Sequence, residues 1–434
     1  MKANRIALSA ALLATTSMVP VSAAWAQDAA QGSSQPDDVI TVRYQYVPDE
    51  KRVTSEVSSV VDAADIQITG DSDIASALGR VTGLSISDGR FVVVRGLNER
   101  YSNTLINGSP LASPEPFRRA VPLDLFPTSL ISNITVQKTY SPQFPGEFGG
   151  GVVEIETSAL PQEGFIEIGV SAAANTQTTA EHGLTYDGGD QDWLGFDDGI
   201  REFPAQYKDI FNGSEIGPSE QDPTTLAEIG RSLENSSLWL LQRDDLIPAD
   251  LGGEITMGDR YDFGGFSVGV LASAGYDNSW ETRIGRRAKA RVTGDTLSLS
   301  QDYERTATTN TNESNGMLNV GVEAGNHSVQ ALALVLRSTE KEANRLLGID
   351  ADLDALSRRD RTAWYERQVY TYQLSGDHTF EIGQGLDVDW RWSTADASRN
   401  APNQRNADYE WNGTTAQLEA VGDNYGLLDF CLLY

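Results

Sequence analysis

The sequence of 434 residues has one cysteine, three histidines and 33 basic side chains against 62 acidic ones. The lone thiol, Cys431, excludes an intramolecular disulfide and a multi-cysteine metal site. A formal net charge of −29 excludes a nucleic-acid binder, because phosphate recognition needs a basic footprint. His182, His327 and His378 are too far apart in sequence to argue for a metal site, and no cofactor is expected. Long apolar runs are also missing: beyond residue 26 none reaches the ~18 residues of a membrane helix. That absence excludes helical spans only. A transmembrane β-barrel crosses lipid with alternating strands of ~9–11 residues, which hydropathy averages overlook.

What is present begins with an export signal. Residues 1–26 carry Lys2 and Arg5, an apolar stretch from Ile6 to Val21, and Ala24-Trp25-Ala26 before Gln27, a small-x-small cleavage pattern. Charge then divides the rest unevenly. Residues 27–160 hold 17 acidic and 10 basic side chains, and residues 161–434 hold 45 and 21. The two parts are expected to face different surroundings.

Residues 27–53 read as a disordered tail, since 28–37 contain no large apolar side chain. Within it, Asp38-Val39-Ile40-Thr41-Val42 is a β-prone island. It reads either as a strand donated to another protein's sheet edge or as an edge strand of the domain that follows. Residues 54–160 read as a compact α+β domain. Asp73 to Gly79 is a short helix with a capping residue at each end. Phe91-Val92-Val93-Val94-Arg95-Gly96 is a buried strand, and Thr104-Leu105-Ile106-Asn107-Gly108 is a second one closing in an Asn-Gly turn. Ile131 to Val136 is a third, and Gly149-Gly150-Gly151 precedes an alternating strand ending at Thr157. No lysine and no helix follows those glycines, so they permit a bend and close backbone approach instead of binding phosphate.

The motifs with catalytic or metal-binding spelling are weak. Gly265-Phe266-Ser267-Val268-Gly269 matches a nucleophile elbow, but Ser267 reads as mid-strand, where a sharp strand-to-helix turn is required. Asp350-x-Asp352-x-Asp354 begins like a calcium loop, yet Ala355 replaces the turn glycine and Arg361 the bidentate glutamate. Asp187, Asp190, Asp192, Asp197 and Asp198 could hold a divalent cation through oxygen, although mutual repulsion in a solvated loop is the plainer reading. No catalytic or metal-binding residues are expected.

Taken in order, Arg95-Gly96, Asn107-Gly108-x-Pro110, Pro122-Leu123-Asp124-x-Phe126-Pro127, Ile134-x-Val136-x-Lys138 and Gly149-Gly150-Gly151-x-Val153-x-Ile155-x-Thr157 resemble the plug domain of TonB-dependent outer-membrane receptors. The string Arg95 to Tyr101 and Ser113-Pro114-Glu115-Pro116-Phe117-Arg118-Arg119 are similar to one large bacterial branch of that family, as is Asp192-Trp193-Leu194-Gly195-Phe196-Asp197-Asp198-Gly199 with Arg201 and Pro204, which the branch carries in an early barrel loop. The resemblance implies that Asp38 to Val42 is a TonB box. It further implies that Arg95, Arg100, Arg118 and Arg119 pair with barrel-wall carboxylates or point toward ligand, with pairing favoured by the acidic second half.

Residues 161–434 show period-two segments: Phe165 to Ala173, Phe263 to Tyr276, Met317 to Ala324, Val329 to Leu336, Val369 to Leu374 and Leu386 to Trp392. A soluble β-sandwich would alternate too, but the export signal and the resemblance point to antiparallel transmembrane β-barrel strands. Trp280, Tyr365 and Tyr409 are expected near strand ends, at lipid headgroups. Such plugged barrels have ~22 strands, and some eight to ten segments are found here, so the barrel is expected to be incomplete. An interrupted reading frame is the preferred explanation, with Leu427 to Tyr434 unlike a barrel's terminal strand.

The resemblance therefore implies TonB-dependent uptake of a small-molecule or oligosaccharide substrate, a glycan or a ferric siderophore-like compound, across the outer membrane by a truncated or fragmentary receptor. Its expected partners are TonB and outer-membrane lipid, and no covalent chemistry is required. The alternative is a non-transporting periplasmic or surface-associated β-rich binding protein that retains a plug-like module.

Overall fold

The computed structural model describes residues 58–433 except for 116–119, 145–148, 203–223, 351–354, 426–428 and a number of shorter stretches. The N-terminal domain contains β1 (Ser58–Asp62), α1 (Ile74–Leu78), β2 (Leu84–Ser87), β3 (Phe91–Val94), β4 (Ser102–Ile106), β5 (Ser109–Pro110), β6 (Ile131–Gln137) and β7 (Gly151–Thr157). Five strands form a sheet in the order β1-β6-β7-β4-β5, with β4 and β7 parallel, while β2 and β3 pair as a hairpin. Helix α1 begins where the Asp73 carboxylate accepts the Ser76 N–H at 2.9 Å, satisfying a backbone donor that the first turn leaves open. Its Ile74 and Leu78 are fully buried with Ile134, Val136, Val153 and Ile155, the inward residues of β6 and β7.

Beyond this domain come β8 (Phe165–Ala173), β9 (Gly183–Thr185), α2 (Ser236–Trp239), β10 (Gln242–Asp244), β11 (Asp250–Asp262), β12 (Ser267–Thr293), β13 (Thr296–Ala324), β14 (His327–Asp350), β15 (Ala355–Phe380), β16 (Leu386–Asn412), β17 (Gln417–Tyr425) and β18 (Asp429–Leu433). Nine of them form one antiparallel sheet, β17-β16-β15-β14-β13-β12-β11-β8, with β18 beside β16. The sheet is open: β8 and β17 do not meet among the described residues. No described helix is long and apolar enough to cross a membrane.

Pairing partners in an antiparallel ladder point to the same face, so the register sorts the side chains. One face carries Leu271, Met317, Leu332, Leu334, Leu336 and Val369, all buried in the same core as the N-terminal domain. The opposite face carries an apolar run on each strand: Val268 to Ala274 on β12, Val322 to Leu318 on β13 and Val329 to Val335 on β14, taking alternate residues. On β8 that face is Ile166, Ile168 and Val170, which are 72%, 71% and 85% exposed. An exposed apolar band opposite a domain-covered face is what a wall between lipid and lumen requires.

Three sequence expectations change. The strands run 24 to 29 residues from β12 to β16, far beyond the alternating segments. Their upper halves, such as Thr306 to Ser314, are polar on both faces and carry no period. Trp280 and Tyr365 accordingly lie mid-strand, whereas Tyr409 is near the end of β16 as expected, under the Arg358 guanidinium at 3.9 Å. The aromatics on the face of the apolar band are Tyr276, one step above the run of β12, and Tyr372, Trp390 and Trp392, which the register places level with the run of β14. Ser267 opens β12 just after a turn, its hydroxyl donating to Asp262 at 2.5 Å.

Candidate functional site

The contact between the N-terminal domain and the covered face of the sheet is built around five charged side chains. Arg90 stands one residue before the apolar strand β3, and its guanidinium lies 3.0 Å from Glu340 on β14, 3.5 Å from Asp124 and 3.8 Å from Glu115. Arg367 on β15 completes the group, 2.7 Å from both Glu115 and Glu340. Each component therefore supplies one arginine, and each arginine reaches a carboxylate of the other. Three carboxylates share two guanidiniums. Burial, only partly offset by Arg90 and Arg367, pushes the Asp124 carboxyl up to about 6.

Neutral contacts flank this group. The Gln373 amide on β15 donates to the Ile106 carbonyl at 2.8 Å, and the Asn107 amide donates to Gln373 at 3.3 Å. Asn107 also fastens β4 to the end of β7, accepting the Thr157 N–H at 3.0 Å. Asn107 and Gly108 both have positive φ, 45° and 72°, as a tight hairpin turn needs, and the turn is packed against the Arg391 guanidinium of β16.

Of the other residues singled out in the sequence, Arg95 and Gly96 form the turn after β3, with the Arg95 N–H bonded to the Gly83 carbonyl at 2.9 Å. Burial, and then the Arg95 charge, lowers the Lys138 ammonium, which donates to Ser59 and to the Thr82 carbonyl at 2.8 Å. Arg100 is exposed and donates to the neighbouring Tyr101 hydroxyl at 2.5 Å. Gly149 and Gly150 pass over Tyr101 and Leu97. A Cβ on Gly151 would lie 2.9 Å from Val94 and 3.1 Å from the Gln137 carbonyl, so the strand needs glycine for close approach. Asp38 to Val42, Arg118 and Arg119 lie outside the described residues.

Sequence reasoning passed over Arg90, Glu340 and Arg367. A signal existed for the wall pair: Glu340 continues the parity of Leu332, Leu334 and Leu336, a charge on an otherwise covered face.

Residues 50–152 match the family model described as the TonB-dependent receptor plug domain. The N-terminal domain is a TonB-dependent receptor plug. Solved structures similar to the chain include the siderophore receptor PirA from Pseudomonas aeruginosa, at 11% identity over 82% of this chain and 62% of that one, TM-score 0.28. Another is the outer membrane transporter YddB from Escherichia coli, at 9% identity over 84% and 57%, TM-score 0.28. The chain spans less than two thirds of the length of either. No curated protein matches it. The plug docks on one face of the open antiparallel sheet. The five charges lie on the plug–wall seam.

A second charged centre lies above the apolar band, on the face away from the plug. Arg201 is 1% exposed; its guanidinium donates to both Asp192 oxygens at 2.7 Å and to Asp197 at 2.8 Å, and stacks 3.9 Å over Trp364. Lys341 adds a 2.8 Å pair to Asp192. Burial opposes the Arg201 charge, but the bonds from Asp192 and Asp197 carry its pKa above the ordinary value. Two of the five aspartates expected to repel one another in solvent, Asp192 and Asp197, are instead paired with a cation of the chain's own, while Asp187, Asp190 and Asp198 stay exposed.

Proposed function

We propose that the chain acts as a TonB-dependent receptor in the outer membrane, taking up a small molecule or oligosaccharide past the plug. The observation that carries this reading is the two-faced sheet: the plug is docked on one face through Arg90, Glu115, Glu340 and Arg367, and the other face offers an apolar band. From Val268 to Tyr276 that band takes up nine residues of β12, within the ~9–11 residues with which a tilted strand crosses the bilayer.

The energetics suit a plug that must loosen. A buried ion network roughly breaks even against its desolvation cost, so it fixes register without adding much net affinity. Strand addition of Asp38 to Val42 to TonB would supply the grip, and work done from the inner membrane would displace the plug. No step needs a catalytic side chain.

The test is fractionation of a bacterial host expressing the full chain, followed by uptake assays. A heat-modifiable band in the outer membrane, with uptake lost when residues 38–42 are deleted, is the expected result. A product confined to the soluble periplasmic fraction would sink the reading and favour a non-transporting binding protein.

A further inference from the structure

Between β8 and β11, the described parts of residues 174–249 lie over the face of the wall away from the plug. Register and contacts fix this placement. Tyr186 donates to the Ala363 carbonyl at 3.0 Å, Thr362 donates to the Leu238 carbonyl at 2.6 Å, and Trp364 stacks on Arg201. Thr362 and Trp364 share the parity of Tyr370, Tyr372 and Leu374, on the face opposite Arg367 and Val369.

The lowest part of this strap is Asp192 to Phe196. The Gly195 carbonyl accepts three donors, Arg337 Nε at 3.0 Å, Arg337 Nη2 at 2.9 Å and Thr339 Oγ1 at 2.8 Å. The Asp192 carbonyl accepts from Asn312 at 3.2 Å, and the Trp193 carbonyl accepts from the Tyr276 hydroxyl. Tyr276 and Arg337 are the outward residues immediately above the apolar runs of β12 and β14. The segment is therefore fixed at the upper border of the band. Gly195, at φ 76°, closes its short helical turn and lies against Asn312 and Thr339.

With its backbone tied to the wall, the segment turns Trp193 and Leu194 outward, and Phe196 keeps a partly exposed ring 4.3 Å from the Arg337 guanidinium. Trp193 is 64%, Phe196 43% and Leu194 37% exposed, in a loop whose own core buries Tyr186 and Leu184. Three such side chains on a rigid, hydrogen-bonded turn, continuous with an exposed apolar band, have one physical partner that extends that band: the boundary of a lipid bilayer, where Trp and other amphipathic rings are favoured. We infer that Trp193, Leu194 and Phe196 form an external foot of the strap, resting in the outer leaflet at the headgroup–acyl boundary. The inference rests on the outer-membrane reading above and adds a contact outside the barrel wall.

The test uses the full chain in vesicles of phosphatidylethanolamine and phosphatidylglycerol, with Cys431→Ser as background and one nitroxide label at a time on Trp193→Cys, Leu194→Cys, Ile168→Cys or Asp245→Cys. Collision with oxygen relative to a polar nickel complex reports depth. Ile168 lies within the band and Asp245 on the exposed upper strap, so their ratios mark lipid and water. The expected ratio at Trp193 and Leu194 is several-fold above that at Asp245 and below that at Ile168. A lipid value at Ile168 with a water value at Trp193 and Leu194, or values there as deep as Ile168, would overturn the foot and leave the membrane reading standing. A water value at Ile168 would overturn the membrane reading and the foot with it. The labelled positions on the foot are exposed and contribute only backbone to the wall, so the variants keep the strap's bonds.

Discussion

Asp124 holds the charge that the plug–wall network cannot balance. Its carboxyl ordinarily titrates near 3.8 and is raised to about 6 in the folded chain, chiefly by burial. Between those values the folded state binds more protons than the unfolded one, so stability falls as pH rises through the window, by up to about 3 kcal/mol once the group is ionised. Asp124→Asn is expected to flatten the dependence of the unfolding midpoint on pH between 3.8 and about 6, measured by calorimetry across that range. Arg201 is the other residue on which several groups depend. Arg201→Met leaves Asp192 and Asp197 buried without it and is expected to cost about 3–5 kcal/mol locally, read as faster protease cleavage within residues 174–249 while the plug stays resistant. The sequence displays Arg201 at a fixed distance from an aspartate-rich run, but it does not display the ion pair. That pair depends on a turn at Gly195, which brings residues nine apart to 2.7 Å.

At the scale of elements, several plug strands were legible because each is short and apolar, and β3 and β4 run into Arg-Gly and Asn-Gly turns. Phe91 to Val94, Ile131 to Val136 and the strand after the glycines all form where their composition places them. Gly151→Ala is expected to destabilise the plug by about 1–3 kcal/mol, the usual cost of overpacking, because its methyl would meet Val94 and the Gln137 carbonyl; hydrogen exchange of β6 and β7 would rise, and unchanged protection would contradict the packing argument. The wall strands were legible only in their lower parts. Val329 to Leu336 alternates because one face meets the plug and the other is apolar, whereas Thr306 to Ser314 has polar groups on both sides and no burial contrast to write into sequence. What the sequence does hold there is parity. Ser338 and Glu340 follow Leu332, Leu334 and Leu336 on the plug side, while Arg337, Thr339 and Lys341 meet the strap.

At the scale of the whole molecule, the plug and wall are joined by apolar packing and by charges 250 residues apart in sequence, a separation at which no local pattern can announce a pair. Arg367→Ala strands Glu115 and Glu340 and is expected to cost about 3–5 kcal/mol of docking, whereas replacing the group together with well-packed apolar side chains would cost little. A double-mutant cycle of Arg367→Ala with Glu340→Gln, read as the urea concentration at which plug amides lose protection, should show coupling well above additivity; strict additivity would mean the two do not interact. The strap has a mechanical consequence as well. Side by side, long strands are weakest against peeling, where ladder bonds open one after another. Residues 186–201 cross β12, β13, β14 and β15 at Tyr276, Asn312, Thr339 and Trp364 and so act as a hoop around the outside of the staves. A pull on the plug that would splay the wall must stretch this hoop along its length, loading its bonds together instead of in turn.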